Sequence, residues 1–231
     1  MVEPKSYAQP TRRPPSHPRA EESRTRIMSE ARRLFAQRGF DGANIREIAE
    51  KAGVTHTLIR YHFGSKEQLW KDVVTDMFRR LDREVSGPET EKLKYETVDD
   101  LRIFLRRYVK YCAKNPDQIR IMFHESIAGG DRLDWMVKYI LKSHQTLTPF
   151  FRHLMDKGQL PDVFLVSLFY AVSTICQIPF AFSTTIKKLY GVDMQSEAAT
   201  EAHVDAVLAI LLRDAPDADL KRPALPAWTK I

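Results

Sequence analysis

Apolar residues recur at three- and four-residue spacing along most of this chain, which is the pattern of amphipathic α-helices. The first such stripe contains Ile27, Ala31, Leu34 and Phe35 and ends at Gly39. Strand-like alternation of useful length occurs nowhere in the sequence. We therefore predict an all-α fold, with short helices in the N-terminal third and longer ones after it.

Residues 44–63 combine two short helical patterns with a glycine between them. Asn44 suits an N-cap, and Glu47 stands at the position that completes a capping box. Gly53 supplies the positive φ that ends the first helix. Ser65 with Gln68 has the form of a second capping box, which opens another helix.

The second of the two short helices has an inward and an outward face. Thr55 suits its N-cap, and Ile59 and Phe63 belong to the core side. At about 100° per residue, Thr57 and Tyr61 then turn away from the core. Two short helices with a polar outward face on the second have the form of a helix-turn-helix, which inserts its second helix into the major groove of DNA.

The charge distribution favours the same interpretation. Residues 1–80 hold 16 Lys and Arg against 10 Asp and Glu, a net charge of +6, whereas residues 81–231 hold 20 of each. Basic charge concentrated on one module suits the neutralisation of phosphates. The alternative is a solvated basic face without a partner.

The run from Ile45 to Leu69, which includes Tyr61-His62-Phe63-Gly64-Ser65-Lys66-Glu67, resembles the DNA-binding domain of the TetR (tetracycline-repressor) family of bacterial regulators. The resemblance covers about residues 24–75. It implies an N-terminal three-helix helix-turn-helix domain, a C-terminal helical ligand-binding and dimerisation domain, and a homodimer. It also implies base-reading positions at Arg46, His56, Thr57 and Arg60, and phosphate-holding positions at Asn44, Thr55, Tyr61, His62 and Lys66.

Three of these positions depart from the usual family pattern. Asn44 stands where Thr is common, Thr57 where a small residue is common, and Arg60 where Tyr is common. A guanidinium can bond O6 and N7 of guanine together, so Arg60 predicts a half-site that contains guanine.

Composition divides the chain into four predicted segments. Residues 1–22 are rich in Pro and Arg and predict a disordered arm, which is either inert or laid along DNA. Residues 23–80 hold the DNA-binding domain, residues 81–215 the ligand-binding and dimerisation domain, and residues 216–231 a tail. No apolar run follows the N-terminal charges, so a secretory signal is not expected.

The 24 residues between Asp162 and Lys187 carry no charge. That length could span a bilayer, but scattered Ser and Thr residues and Pro179 favour a buried helix of a protein without membrane contact. In the resembled family, a helix near this position and the last helix pair with their copies. We expect the homodimer interface at about 163–182 and 196–213.

A ligand pocket is implied by the resemblance, and the aromatic content hints at a mostly apolar small-molecule effector. The candidate lining residues are Tyr108, Tyr111, Phe123, His124, Trp135, Tyr139, His144, Phe169, Tyr170, Cys176, Gln177 and Phe180. Aromatic residues at helical spacing are more often core than pocket. The polar candidates His124, His144 and Gln177 are stronger, because a buried polar group needs a partner that a ligand can supply.

Catalytic and metal motifs are missing from the sequence. His124-Glu125 lacks the second His of a zinc-protease helix, and His56 and His62 lie on different sides of one helix. Cys112 and Cys176 have no Cys-X-X-Cys spacing and suit buried residues of a cytoplasmic protein. We expect no enzyme, no cofactor and no metal.

These features together predict a ligand-responsive transcriptional regulator, most often a repressor, that binds a palindromic operator on double-stranded DNA. Two alternatives share parts of the evidence. One is an architectural or ligand-independent DNA-binding protein, and the other is a helical interaction module that does not bind DNA.

Overall fold

A computed structural model describes residues 18–213 and 221–226. Within these ranges the chain forms ten α-helices, one short 3-10 turn at Glu89–Glu91 and no strand, which confirms the all-α fold. The helices are α1 (Pro18–Gly42), α2 (Ile45–Ala52), α3 (His56–Phe63), α4 (Lys66–Ser86), α5 (Val98–Lys114), α6 (Asp117–Ala128), α7 (Asp131–Asp156), α8 (Leu165–Ala181), α9 (Ser183–Tyr190) and α10 (Glu197–Leu212).

The first four helices form a bundle around one apolar core. The stripe predicted on α1 is buried there together with Ile48 of α2, Ile59 of α3 and Trp70 of α4. Short helices of eight residues are marginal alone, so their packing against α1 and α4 stabilises α2 and α3. The predicted helix-turn-helix is therefore held in place by its packing against α1 and α4.

α1 turns sharply at Gly39, where φ is +68° and ψ is −179°. This conformation is essentially restricted to glycine. The turn brings Phe40 back against the core, where its ring stacks on Phe35 and meets Trp70 edge to face.

We expect Gly39→Ala to lower the free energy of unfolding by ~1–3 kcal/mol, because the backbone there is strained for any L side chain. The added Cβ would also lie 3.2 Å from Nδ1 of His124. Urea unfolding measures the change. Gly53→Ala is the matched comparison, since Gly53 is left-handed but has open space around it. A loss at Gly39 no larger than that at Gly53 would contradict the expectation.

α4 continues past the predicted boundary at residue 80 and ends at Ser86. It belongs to both halves of the molecule, because Trp70 and Val74 lie in the N-terminal core and Val85 lies in the C-terminal core. The N-terminal core also takes in Ile121 of α6 and Met136 of α7. α4 and α7 therefore contribute side chains to both cores. The periodicity of a single helix does not show that its two ends belong to different cores.

The second core is built from α5, α8, α10 and the C-terminal half of α7. α5 begins with a full capping box between Thr97 and Asp100. α8 packs on α5, and the ring of His203 on α10 reaches the carbonyl oxygen of Ile175 on α8 at 2.8 Å. This contact ties together the two helices that were predicted to form the dimer interface.

We expect the stability of the protein to fall as the pH drops below about 6.5, the ordinary pKa of histidine. Burial lowers the pKa of His203, and the bond to Ile175 opposes that shift only in part. The unfolded chain then binds a proton that the folded chain does not, so stability is complete above pH 6.5 and decreases below it. Burial lowers the pKa of His62 and His144 as well, so they add to the same trend.

Thermal unfolding at pH 7.5 and 5.5 tests this expectation. His203→Gln keeps a donor for the Ile175 carbonyl but removes one titrating group. Between pH 7.5 and pH 5.5, the melting temperature of this variant should therefore fall less than that of the parent. Equal decreases in the parent and the variant would exclude a contribution from His203.

The uncharged stretch forms α8 and α9, which meet at Phe182. No single helix in the described residues is long and apolar enough to cross a membrane, although α8 and α9 pass that test together with a bend of 67° between them. Several large apolar side chains of α8, α9 and α10 remain exposed in the single chain. They include Val166, Tyr170, Leu189 and Ile210.

Most of the predicted arm lies outside the described residues, since α1 begins at Pro18. Proline is favoured at the first position of a helix, where its missing N–H costs no hydrogen bond. The predicted tail is described only at residues 221–226, which have no regular structure. An arm along DNA therefore stays a prediction.

Candidate DNA interface and ligand cavity

The turn between α2 and α3 is built by local hydrogen bonds. Oδ1 of Asn44 accepts a bond of 2.8 Å from the amide of Arg46 and caps α2. Gly53 adopts the left-handed conformation, with φ 64° and ψ 40°, and ends the helix. Thr55 then takes an extended backbone at the N-cap of α3, without a side-chain capping bond.

Neither predicted capping box is complete: Asn44 caps α2 through the amide of Arg46 and not through that of Glu47, and only the serine half of the box at Ser65 is formed. Glu47 does not return a bond to Asn44 but pairs with Arg38 at 2.6 Å. Ser65 caps α4 by accepting the amide of Gln68, whereas the side chain of Gln68 donates to Asp72. In each case the N-cap side chain accepts a backbone amide and the partner side chain has a stronger alternative.

α3 presents a clear division between its faces. Ile59 and Phe63 are buried, with 2% and 4% of their surface exposed. The opposite face is exposed and holds four polar side chains, including Tyr61 with 81% of its surface exposed. The other three are His56, Thr57 and Arg60. No acidic residue lies in this helix, so an approaching phosphate backbone meets no repulsion from it.

Seven of the nine residues predicted to contact DNA are exposed around this face. They are Asn44, Arg46, Thr55, His56, Thr57, Arg60 and Tyr61. The other two are half-buried. Lys66 lies 4.6 Å above the ring of Phe40, and burial lowers its pKa. Its ammonium group also donates to the carbonyl oxygen of Asp41 at 3.4 Å.

His62 is the second half-buried member of the predicted set. Burial and the nearby guanidinium of Arg24 lower its pKa. Its Nε2 atom is buried and has no hydrogen-bond partner in the described residues. A neutral ring turned toward α1 is poorly suited to hold a phosphate, so His62 is the weakest of the nine assignments.

A cavity of about 510 Å³ lies among α4, α5, α7 and α8. Five of the twelve predicted pocket residues line it: Tyr108, Tyr139, His144, Phe169 and Gln177. The volume falls within the range of small-molecule sites. α4 also contributes to the wall, through Thr75, Phe78 and Val85, which no pattern in the sequence indicated.

Four of the predicted pocket residues lie on other parts of the structure and do not line this cavity. Phe123 is exposed on α6, and His124 lies against the turn at Gly39. Trp135 packs on Trp70 in the N-terminal core, with ring centroids 5.6 Å apart. Cys176 is fully buried in the C-terminal core.

Three residues of the wider candidate set are also engaged elsewhere. The hydroxyl of Tyr111 reaches the carbonyl oxygen of Met77 and Oε1 of Gln118. Tyr170 is exposed, and Phe180 meets the ring of His203 edge to face. Aromatic spacing alone could not separate these core and surface positions from the cavity wall.

The polar groups deep in the cavity are uncharged. Nε2 of Gln177 donates to Oγ of Ser173 at 2.5 Å. Tyr108 bonds to the same serine, and burial raises the pKa of Tyr108 well above its ordinary value. The ring of His144 stacks on Phe169 at a centroid distance of 4.1 Å, and burial lowers the pKa of this histidine.

The cavity wall is connected to the helix-turn-helix bundle through α4. Thr75 Oγ1 and the hydroxyl of Tyr139 lie 2.9 Å apart, which joins α4 to α7. Phe78 stacks on Tyr139 in the same wall. A molecule in the cavity would therefore contact side chains of α4, the helix that also belongs to the helix-turn-helix bundle.

The described part of the chain offers no metal-binding cluster, and both cysteines there are free and buried. Residues 18–213 and 221–226 hold no group of three or more His, Cys, Asp or Glu residues arranged to bind a metal ion. Burial raises the pKa of Cys176 to about 12 and also raises that of Cys112. These thiols are buried and protonated, as expected for packing residues.

Two family models match the chain. The model of the bacterial regulatory proteins of the tetR family matches residues 27–73, and the tetracyclin repressor-like C-terminal domain matches residues 98–210. The chain belongs to the TetR family of bacterial regulatory proteins. The TetR match thus covers both the helix-turn-helix bundle and the domain that contains the cavity.

Curated relatives agree with this membership. AcnR of Corynebacterium efficiens, named a transcriptional repressor, is 38% identical over 64 residues, which is 28% of this chain and 34% of AcnR. The chain therefore matches about a third of the length of AcnR. RutR of Escherichia coli K12, named a transcriptional regulator, is 23% identical over 190 residues, 80% of this chain and 87% of RutR.

Solved structures share the TetR fold at low identity. AibR, solved with isovaleryl coenzyme A and operator DNA, aligns with a TM-score of 0.66 at 16% identity over 84% of this chain and 100% of AibR. A mutant of HlyIIR aligns with a TM-score of 0.63 at 22% identity over 84% of this chain and 99% of that chain.

Proposed function

We propose that this TetR-family chain is a ligand-responsive transcriptional regulator that binds a palindromic operator as a homodimer. The observation that carries the proposal is the exposed face of α3, which has four polar side chains and no acid above a buried apolar base. Helices of this form read base edges in the major groove. Repression is the favoured mode, since AcnR is named a repressor.

The contacts divide into two kinds. Arg46, His56, Thr57 and Arg60 are assigned to base edges, because they are exposed at the first turn of α2 and along the outer face of α3. Asn44, Thr55, Tyr61 and Lys66 are assigned to phosphates, and His62, whose ring is half-buried and neutral, is the weakest member of this set. Base contacts determine sequence preference, whereas phosphate contacts position the protein on the duplex.

The homodimer is assigned to α8 and α10. Phe164, just before α8, is 72% exposed, and Tyr170 on α8 is 66% exposed. Ile210 on α10 is 65% exposed. Large apolar side chains on neighbouring helices are typical of a protein interface. A two-fold axis through this interface would present the two α3 helices to two symmetric half-sites.

Control by a ligand follows from the position of the cavity. Its wall includes Thr75 and Phe78 of α4, the helix that also supports α3. A ligand that binds one arrangement of α4 more tightly than another shifts the population of DNA-competent dimers. Couplings of ~1–3 kcal/mol change affinity roughly 5- to 150-fold. The AibR complex, with both an acyl coenzyme A and operator DNA, supports a regulator of this design.

A regulator of this kind acts in the cytoplasm, where it meets chromosomal DNA, and has no enzymatic activity. AcnR and RutR, both named as regulators, support a binding function over a catalytic one.

Selection from a library of random duplex DNA tests the proposal. We expect enrichment of a palindrome with guanine in each half-site, bound by a dimer in sedimentation experiments. A library that yields no common motif after several rounds would contradict sequence-specific regulation. A motif without two-fold symmetry would contradict the dimer.

A further inference from the structure

The residues around the cavity separate into a buried interior and an exposed opening. Among the interior residues are Phe104, Phe151, Phe169 and Val172, each less than a tenth exposed. The opening lies between the outer side of α4 and the middle of α7, where the lining side chains are exposed to solvent. A bound molecule therefore has an end that is enclosed and an end that meets water.

Positive charge predominates at the opening. Arg79 on α4, Lys92 in the following loop and Lys142 on α7 line it, against the single carboxylate of Asp82. Lys92 is compensated by Glu89 at 3.1 Å. Arg79 and Lys142 have no ion pair within 4 Å in the described part of the chain. The two cations are available to an anionic group.

The interior offers no counter-charge to an anion. Its polar side chains include Gln118, Gln177, Ser173 and Tyr108, which are neutral, and His144, whose pKa is lowered by burial so that the ring is uncharged at neutral pH. Ser173 and Gln177 already bond to each other. A carboxylate or phosphate placed there would be buried without a cation, which is costly. The interior therefore suits an uncharged apolar body, and the opening suits the charged end.

We propose that the effector is an amphipathic anion whose apolar body, such as an acyl chain, occupies the aromatic interior and whose anionic head group is held by Arg79 and Lys142. This inference rests on the proposed function and names the chemistry of its ligand. The shared requirement is a head group with negative charge. A free carboxylate and a phosphate-bearing thioester both meet it.

Three probes with the same eight-carbon chain separate these features: octanoate, octanoyl coenzyme A and the neutral octan-1-ol. Titration calorimetry on the full chain should give binding of at least one anionic probe that is about tenfold tighter than that of the alcohol, as expected for a charge-assisted contact. Tighter binding of octanoate identifies a carboxylate head group. Tighter binding of the coenzyme A thioester identifies a phosphate-bearing one.

Variants locate the site. Arg79→Gln with Lys142→Gln should weaken the anionic probe by about tenfold and leave the alcohol unchanged. The matched control is Arg83→Gln with Lys138→Gln, two exposed positions on the same helices that do not line the cavity. The control should stay within about twofold of the parent, because surface charges outside the contact are screened.

Equal binding of octanoate, the thioester and the alcohol would overturn the inference, as would no binding of either anionic probe. The inference is also overturned if the cavity pair Arg79→Gln with Lys142→Gln and the control pair Arg83→Gln with Lys138→Gln weaken binding of the anionic probe equally. Binding of the selected palindrome is measured beside each titration. Retained DNA binding with failed ligand binding overturns only the ligand chemistry, whereas loss of sequence-specific DNA binding in the parent overturns the proposed function itself.

Discussion

Arg60→Ala is expected to weaken operator binding by ~1–3 kcal/mol in each half-site, since a guanidinium that bonds both O6 and N7 of guanine contributes about that much. Because the proposed dimer uses two copies of α3, one in each half-site, the binding free energy of the whole dimer should fall by twice that amount. Arg60 is exposed on the outer face of α3. Its removal should therefore leave folding unchanged.

Fluorescence anisotropy with the selected palindrome and with versions altered at guanine measures this effect at one fixed salt concentration. Arg60→Ala should bind both DNAs with similar affinity, whereas the parent should prefer the guanine-containing site. Arg83→Ala removes the same charge far from α3 and should retain the preference. A variant at position 60 that keeps both affinity and base preference would refute a base-reading role.

Arg132→Ala is expected to lower the free energy of unfolding by ~3 kcal/mol, because it leaves the carboxylate of Glu125 buried without its partner. The two side chains are 2.9 Å apart, and Glu125 is only 1% exposed. The guanidinium of Arg132 also lies 4.1 Å from the ring centroid of Phe40, which follows the turn at Gly39. One side chain thus joins α7, α6 and the end of α1.

Two comparisons isolate the buried charge, with urea unfolding as the measurement. Combining Glu125→Gln with Arg132→Ala should recover part of the loss, because the carboxylate is gone. Lys71→Ala breaks an exposed pair with Glu67 and should cost less than about 1 kcal/mol. If Arg132→Ala lowered the free energy of unfolding no more than Lys71→Ala does, the Arg132–Glu125 pair would contribute no more than an ordinary surface ion pair.

The DNA-binding unit could be predicted from sequence because local rules decide it. In an eight-residue helix, the choice of Ile59 as the inward position fixes the direction of every other side chain. The structure agrees, since Ile59 and Phe63 are buried while Thr57 and Tyr61 are exposed. Gly53 ends α2 for the conformational reason that the sequence suggested.

The capping boxes show where local rules stop. Glu47 prefers the guanidinium of Arg38, nine residues earlier, and Gln68 prefers Asp72 one turn later. A charged partner competes successfully with a neutral backbone amide, whether the fold brings it near, as with Arg38, or it lies one turn along the same helix, as with Asp72. No pattern within residues 44–68 identifies that partner.

The pocket was predicted less well because its walls come from helices that are distant in sequence. Gln177 and His144 are polar residues within apolar stripes, which predicts a pocket position, and both line the cavity. His124 satisfied the same criterion, yet α6 packs on α1 and carries this ring to Gly39. Trp135 does not line the cavity for a related reason, because the start of α7 packs against the N-terminal core. Periodicity gives the buried face of a helix but does not say which neighbour covers it.

Competition between the selected palindrome and a scrambled duplex of the same length and composition, measured across a salt series, tests sequence-specific binding most directly. Both duplexes should lose affinity as salt rises, because phosphate contacts release counterions from each. A sequence-reading dimer should keep a preference for the palindrome of roughly 10³-fold or more at every salt concentration. Equal affinity for both duplexes, with binding that disappears as salt is raised, would mean that the basic N-terminal module binds by charge alone.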